Sequence, residues 1–310
     1  MDETRLKLVF LGSGAFGLPT LRSLLQRHEV AMVVTQPDRP AGRGGAMTPT
    51  PVAAEIQKYH NQIPLLKPEK INDPSVRDRI REVRTDAFVV IAFGQKLGRA
   101  LLDGVYAINL HGSILPRWRG AAPINAALLA GDPLVGNSVI TLADKMDAGL
   151  VLATSSHPAN PEWTAGDLHD ILAADGPALV GQVLRDRPAG QVQDEALVTI
   201  AAKLSKADGW VDFRQGADEC RRRIHGLTPW PGVTIQLRQQ PLKLLRVKSL
   251  EGGPQQAPGT LIDPEKGLVA CTGSVLQLIE VQAAGKRAMS WADFARGHKP
   301  LKDEVLVGAN

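Results

Sequence analysis

The 310-residue chain has only two cysteines, Cys220 and Cys271, far apart in sequence. They supply no disulfide framework and no paired zinc spacing, so a reducing compartment with inert thiols is expected. Long apolar runs are missing too, and none approaches the roughly 18 residues that a membrane span needs. The charged start Met1-Asp-Glu-Thr-Arg5 leads at once into a strand-like run rather than the apolar core of a secretion signal, which points to the cytoplasm. Apart from His111, the histidines at 28, 60, 157, 169, 225 and 298 fit no metal-ligand spacing, so no metal site is expected. Internal repeats and low-complexity segments are likewise lacking.

What is present is globular in character: 44% hydrophobic and 22% charged residues, with length for two domains of ordinary size. The net charge is +4, and its distribution says more than its size. Residues 1–203 hold 21 Lys/Arg against 21 Asp/Glu, whereas 204–310 hold 15 against 11. A basic C-terminal third suggests a polyanionic partner.

Along the chain, Leu6–Leu11 reads as a buried strand and Leu18–Arg27 as the helix after it. The intervening Gly12-Ser-Gly-Ala-Phe-Gly17 matches a dinucleotide-binding fingerprint, with Asp38 about 20 residues on. Asp38 falls in the turn Gln36-Pro-Asp-Arg-Pro40 rather than at a strand end, so the glycines are read as turn and packing residues, without a nicotinamide cofactor. Val30–Thr35 is a second strand, followed by a loop over residues 36–51 with four prolines and three glycines. Loops of that length tend to be functional. Helices at about Val52–His60 and Pro74–Val83, and strands at Ile63–Leu66 and Ala87–Phe93, continue the alternation. The fold class is therefore α/β, a doubly wound, mostly parallel, Rossmann-like sheet covered on both faces.

Leu150–Ser156 reads as another strand and Thr164 to about Arg185 as a long amphipathic helix. The expected division is a catalytic domain over 1–187, an extended linker over 188–203, and a basic domain over 204–310. The last has short alternating runs broken by Gly and Pro, which suggest a small β-barrel with one helix at Gly216–His225.

The chemistry gathers where an apolar strand ends, in Asn109-Leu-His-Gly-Ser-Ile-Leu-Pro-Arg-Trp-Arg-Gly-Ala-Ala-Pro123. Asn109 and His111 are two apart, so on a strand they share a face, and an amide beside an imidazole can grip a carbonyl oxygen. Ligands on doubly wound sheets lie beyond the carboxyl ends of the strands. Asn109, His111 and the turn Phe93-Gly-Gln-Lys-Leu97 all fall there. Farther on, an alternating strand runs into a polar turn carrying Asp144 and Asp147. One Asn, one His and one nearby Asp would make a proton-handling site.

In order, Thr35–Gly44, Asn109–Pro123, Met146-Asp147, Pro229-Trp-Pro-Gly232 and Ala284-Gly-Lys-Arg-Ala-Met289 resemble the formyltetrahydrofolate-dependent transformylases, from about Leu6 to about Gly308. The resemblance implies formyl transfer from 10-formyltetrahydrofolate to the α-amino group of initiator methionyl-tRNA, for translation initiation, by a cytoplasmic monomer. It implies Asn109 as donor to the developing oxyanion, His111 as second donor, and Asp147 as proton acceptor. Asp147 is preferred over Asp144 because Met146-Asp147 followed by Gly149 matches the family motif. It also implies a folate cleft formed by Phe93, Gln95, Leu97, Ser113, Ile114, Leu115, Pro116, Leu142 and Asp144, and an oligonucleotide-binding-like C-terminal barrel. Arg43, Arg39 and Lys206 are the implied transfer-RNA contacts, although Gly45-Ala46 stand where members often have lysines. A nicotinamide oxidoreductase, a single-domain transformylase of free nucleotides and a non-catalytic RNA-binding protein each fit part of the sequence.

Overall fold

The computed structural model describes residues 4–42 and 44–308. They form two compact units, one from residues up to 119, 136–157 and 169–200, the other from 120–135, 158–168 and the chain from 201 onward.

The first unit is built on β1 (Lys7–Gly12), α1 (Leu18–Arg27), β2 (Glu29–Val34), a hairpin of β3 (Arg39–Ala41) and β4 (Ala46–Thr48), and α2 (Pro51–Tyr59). It continues through β5 (Leu65–Leu66), α3 (Pro74–Arg81), β6 (Ala87–Ile91), β7 (Ala107–His111), β8 (Ser138–Thr141) and β9 (Val151–Thr154). The sheet order is β9-β8-β7-β6-β1-β2-β5. The strands from β7 to β5 are parallel, and β8 and β9 add antiparallel at one edge. Because both faces are covered, the central strands are buried along most of their length: Leu8, Val9, Phe10 and Leu11 have no exposed surface.

The glycines after β1 serve close approach. A Cβ on Gly12 would lie 2.5 Å from the Phe10 ring and 2.8 Å from the Ile91 carbonyl oxygen. Ser13 Oγ donates to the Phe93 carbonyl and accepts from the Gln36 amide, both at 3.0 Å. Asp38 is bound to Lys67 Nζ at 2.7 Å. The expected loop over 36–51 holds a paired hairpin, with Arg39 opposite Thr48, tied at its base by Asp38–Lys67 and by Arg39–Glu69 at 2.6 Å. Arg43 lies outside the described residues.

Residues 188–203 run along the edge of the sheet for part of their course. Gln191 pairs through both backbone groups with Val151 of the edge strand at 2.8 Å, and Asp194 caps a short 3₁₀ turn at Glu195–Leu197. An exposed strand edge leaves N–H and C=O groups to be met, and this segment meets them.

In the second unit a seven-stranded antiparallel sheet curls into a half-barrel over a core containing Phe213, Ile224, Leu244 and Trp291. Cys220 and Cys271 are free and meet inside that core with sulfurs 4.0 Å apart. The neighbouring thiol and burial push Cys220 up, which keeps it inert. The expected helix near 216–225 spans Ala217–Gly226, and its three arginines face inward attachments rather than open solvent. Arg221 binds Asp218 and the Pro161 carbonyl. Arg222 reaches the Ala130 carbonyl, while Arg223 lies 3.6 Å from the Trp210 ring centroid and donates to the Asp208 carbonyl.

His225, 2% exposed, anchors the same helix. Its Nδ1 sits 3.1 Å from the Pro161 carbonyl oxygen, which can only accept, and its Nε2 accepts the Val247 amide at 3.0 Å. Both nitrogens are thus satisfied by the neutral ring, and burial lowers its pKa to about 4, with Arg221 and Arg246 nearby opposing the cation. The folded state therefore resists protonation that the unfolded chain accepts near 6.5. This stabilisation is complete above that value, and roughly 3 kcal/mol of it should be lost as the pH falls toward 4. Denaturant unfolding across that range checks the sign. The loss between pH 6.5 and 4 should shrink in His225→Gln, and an unchanged loss would place the penalty elsewhere.

Candidate active site

β7 lies between β6 and β8, with Asn109 opposite Val90 on one side and Ile140 on the other. Its neighbours Ile108 and Leu110 are buried, whereas Asn109 is half-buried and its carboxamide has no side-chain hydrogen bond among the described residues. Such a group is left for a ligand or solvent.

Two residues on, His111 is 6% exposed. Its Nε2 is 2.9 Å from the Trp118 carbonyl oxygen, so that nitrogen carries a proton and donates. Nδ1 then faces the Asp147 carboxylate, with Oδ2 at 3.6 Å. That is longer than a direct hydrogen bond and close enough for charge to be felt. In the imidazolium form both N–H groups point at acceptors.

The loops bringing these groups together are tightly held. Ser113 Oγ donates to the Arg117 carbonyl at 2.7 Å, and Ser138 Oγ links the Ser113 carbonyl at 2.8 Å to the Leu115 amide at 3.0 Å. Trp118 has φ +65° and Asp147 φ +52°, left-handed conformations that non-glycine residues adopt only when their surroundings impose them. The end of the Asp147 loop is fixed by Gly149, where a Cβ would lie 1.7 Å from the Thr141 carbonyl oxygen.

Geometry separates the two candidate carboxylates. Asp147 is 15% exposed beside His111, whereas Asp144 is 55% exposed and paired with Arg99. The Arg99 guanidinium holds the Asp144 carboxyl below its ordinary range.

The residues expected around the folate fall into several settings. Leu97, Leu142 and Asp144 line one side of a cavity of about 550 Å³, together with Arg99 and Gly104. Ile114, Leu115 and Pro116 line a second hollow against β9 and residues 188–194. Phe93 is buried in the core, and the Gln95 amide bridges the Ile71 N–H and the Pro68 carbonyl at 2.8 and 3.0 Å. The Ser113 hydroxyl is taken up within its own loop. Among the expected transfer-RNA contacts, Arg39 is ion-paired with Glu69, and Lys206 is exposed in the second unit. Among the described residues no group of three or more His, Cys, Asp or Glu could hold a metal ion, and no helix is long and apolar enough to cross a membrane.

No sequence pattern marked Gln193, and Arg119 stood out only as one of the two guanidinium groups in the Asn109–Pro123 stretch. Gln193 Nε2 donates to the carbonyls of both Asp147 and Gly149, and Arg119 Nε donates to Gln193 Oε1.

Residues 6–184 match the formyl transferase family, and residues 203–299 match its C-terminal domain family. Methionyl-tRNA formyltransferase of Rhodopseudomonas palustris is 37% identical over 97% of this chain and 99% of its own. The chain belongs to the methionyl-tRNA formyltransferase family. Solved structures beyond that family share the fold. WlaRD, a sugar 3N-formyl transferase crystallised with dTDP and 5-N-formyl-THF, superposes with a TM-score of 0.65 at 13% identity, over 92% of this chain and all of WlaRD. HypX from Aquifex aeolicus, in complex with tetrahydrofolic acid, gives 0.61 at 13% identity over 94% of this chain. This chain spans about half of HypX, 47%.

Proposed function

We propose that this chain, as a cytoplasmic monomer, transfers the formyl group of 10-formyltetrahydrofolate to the α-amino group of initiator methionyl-tRNA, giving formylmethionyl-tRNA for translation initiation. The observation that carries the reading is the approach of Asp147 to His111 within 3.6 Å, two residues along the strand from the Asn109 carboxamide, which makes no side-chain hydrogen bond among the described residues.

Asn109 donates a hydrogen bond to the formyl oxygen as the amine nitrogen adds to the formyl carbon and charge moves onto that oxygen. His111, fixed through Nε2 by the Trp118 carbonyl, presents Nδ1 as the second donor. Asp147 accepts the proton the amine must shed, directly or through water. The new C–N bond then persists while the bond to the folate nitrogen breaks, that nitrogen taking up a proton as it leaves. Leu97, Leu142 and Asp144 hold the folate, supported by the 550 Å³ cavity they line. The functional division follows residues 1–187 for catalysis, 188–203 as connection and 204–310 for RNA. Arg39, Arg43 and Lys206 supply cations for the transfer RNA.

The test offers methionyl-tRNA and glycinamide ribonucleotide in parallel, with the same formyl donor. Formyl should pass to methionyl-tRNA alone. Turnover of the free nucleotide instead would overturn the reading.

A further inference from the structure

The Asp147 carboxylate stands at a bend that closes an exposed turn. Residues 143–146 just before it are exposed, Met146 by 70%, and Asp147 holds a left-handed backbone at φ +52°. One buried side chain grips both sides of that bend. Gln193, 6% exposed, sends Nε2 to the Asp147 carbonyl and to the Gly149 carbonyl, each at 2.8 Å. Its own carbonyl is fixed by Arg119 Nε at 2.9 Å. Arg119 is 5% exposed and is held by Glu195 at 2.8 Å and, through its backbone N–H, by the Thr199 carbonyl at 2.9 Å. It directly follows Trp118, whose carbonyl sets His111 Nε2 and whose N–H is bound by Thr199 Oγ1 at 2.9 Å.

A single amide therefore couples the loop bearing the carboxylate to the loop that orients the imidazole. We propose that Gln193 is a positioning residue for formyl transfer, setting the Asp147 carboxylate against His111 without touching either substrate. The proposal rests on the assignment of Asn109, His111 and Asp147 given above. Only a carboxamide has the two N–H donors and the one acceptor that this place uses. Methionine fills the same volume with no donor, and glutamate would turn a carboxylate toward two carbonyl oxygens.

The test measures kcat, and KM for methionyl-tRNA and for 10-formyltetrahydrofolate, in the full chain and in Gln193→Met, Gln193→Glu and Asp147→Asn. Melting temperature and the imidazole NMR signals of His111 are followed alongside. Misplacing a catalytic group by about an ångström costs up to ~10²-fold, so kcat in Gln193→Met should fall ~10- to 100-fold. Both KM values should stay within about twofold, because no substrate contact is lost. Gln193→Glu should be at least as slow, and the His111 signals should move in Gln193→Met as they do in Asp147→Asn. A parental kcat in Gln193→Met, a loss confined to KM, or a slow variant with unmoved His111 signals would overturn the proposal. So would failure of both Gln193 variants to fold, since the residue would then be structural. If Asp147→Asn is slow and Gln193→Met is not, the clamp alone fails; if Asp147→Asn keeps the parental rate, the assignment of the site fails and takes the clamp with it.

Discussion

Asn109→Ala should lower kcat for formyl transfer by ~10²–10³, the usual effect of removing one donor from a site where an oxyanion develops. The side chain is half-buried and makes no side-chain hydrogen bond among the described residues, so its removal orphans no partner and should barely alter stability. KM for both substrates should change little, since a neutral formyl oxygen gains much less from the bond than a charged one. Asn109→Asp should be as slow or slower, because it places a carboxylate where negative charge builds. Single-turnover transfer at saturating substrate isolates this step. A variant with unchanged kcat and raised KM would make Asn109 a binding residue and remove it from the proposed mechanism.

Asp147→Asn should be comparably damaging, ~10²–10⁴ in kcat, the range for loss of a positioned proton acceptor. The replacement keeps size and shape, and the Asp147 carbonyl held by Gln193 is unaffected, so the loop should stay in place. What disappears is the charge facing Nδ1 of His111 and the acceptor for the amine proton. Asp144→Asn is the matched comparison. That carboxylate is more than half exposed, pairs with Arg99 and lines the cavity with Leu97, so its loss should act on KM for the folate. Equal losses of kcat in the two variants would leave the choice of Asp147 without support.

The parts of this molecule that the sequence discloses are those fixed by neighbours along the chain. Continuous apolar runs such as Ala87–Ile91, alternating with helical stretches, suit strands covered on both faces of a parallel sheet, and Ala87–Ile91 is buried throughout. Thr50-Pro51 and Asp73-Pro74 punctuate helix starts, and both helices begin at those prolines with the capping side chains in place. The placement of Asn109 and His111 on one strand face needed nothing but a period of two. Contacts made by distant returns of the chain are a different matter. Gln193 lies 74 positions from Arg119 and 46 from Asp147, in a segment whose composition reads as linker. The arginines of the 217–226 helix look like a solvated basic face in sequence, because the carbonyls they hold come from residues 130, 161 and 208. The short helix Trp291–His298 is also silent, being two turns long and recognisable chiefly by the Ser290 cap on the Asp293 amide.

Residues 120–135 belong to the same compact unit as the chain beyond 201, and this bears on synthesis at the ribosome. The apolar helix Pro123–Ala130 leaves the exit tunnel early, yet Gly226, whose carbonyl receives the Asn125 amide, is made 101 residues later. At 5–20 residues per second the delay is roughly 5–20 s. For that time a greasy segment waits beside a growing first unit, an interval in which a holding chaperone or a slowed codon would protect the nascent chain from aggregation.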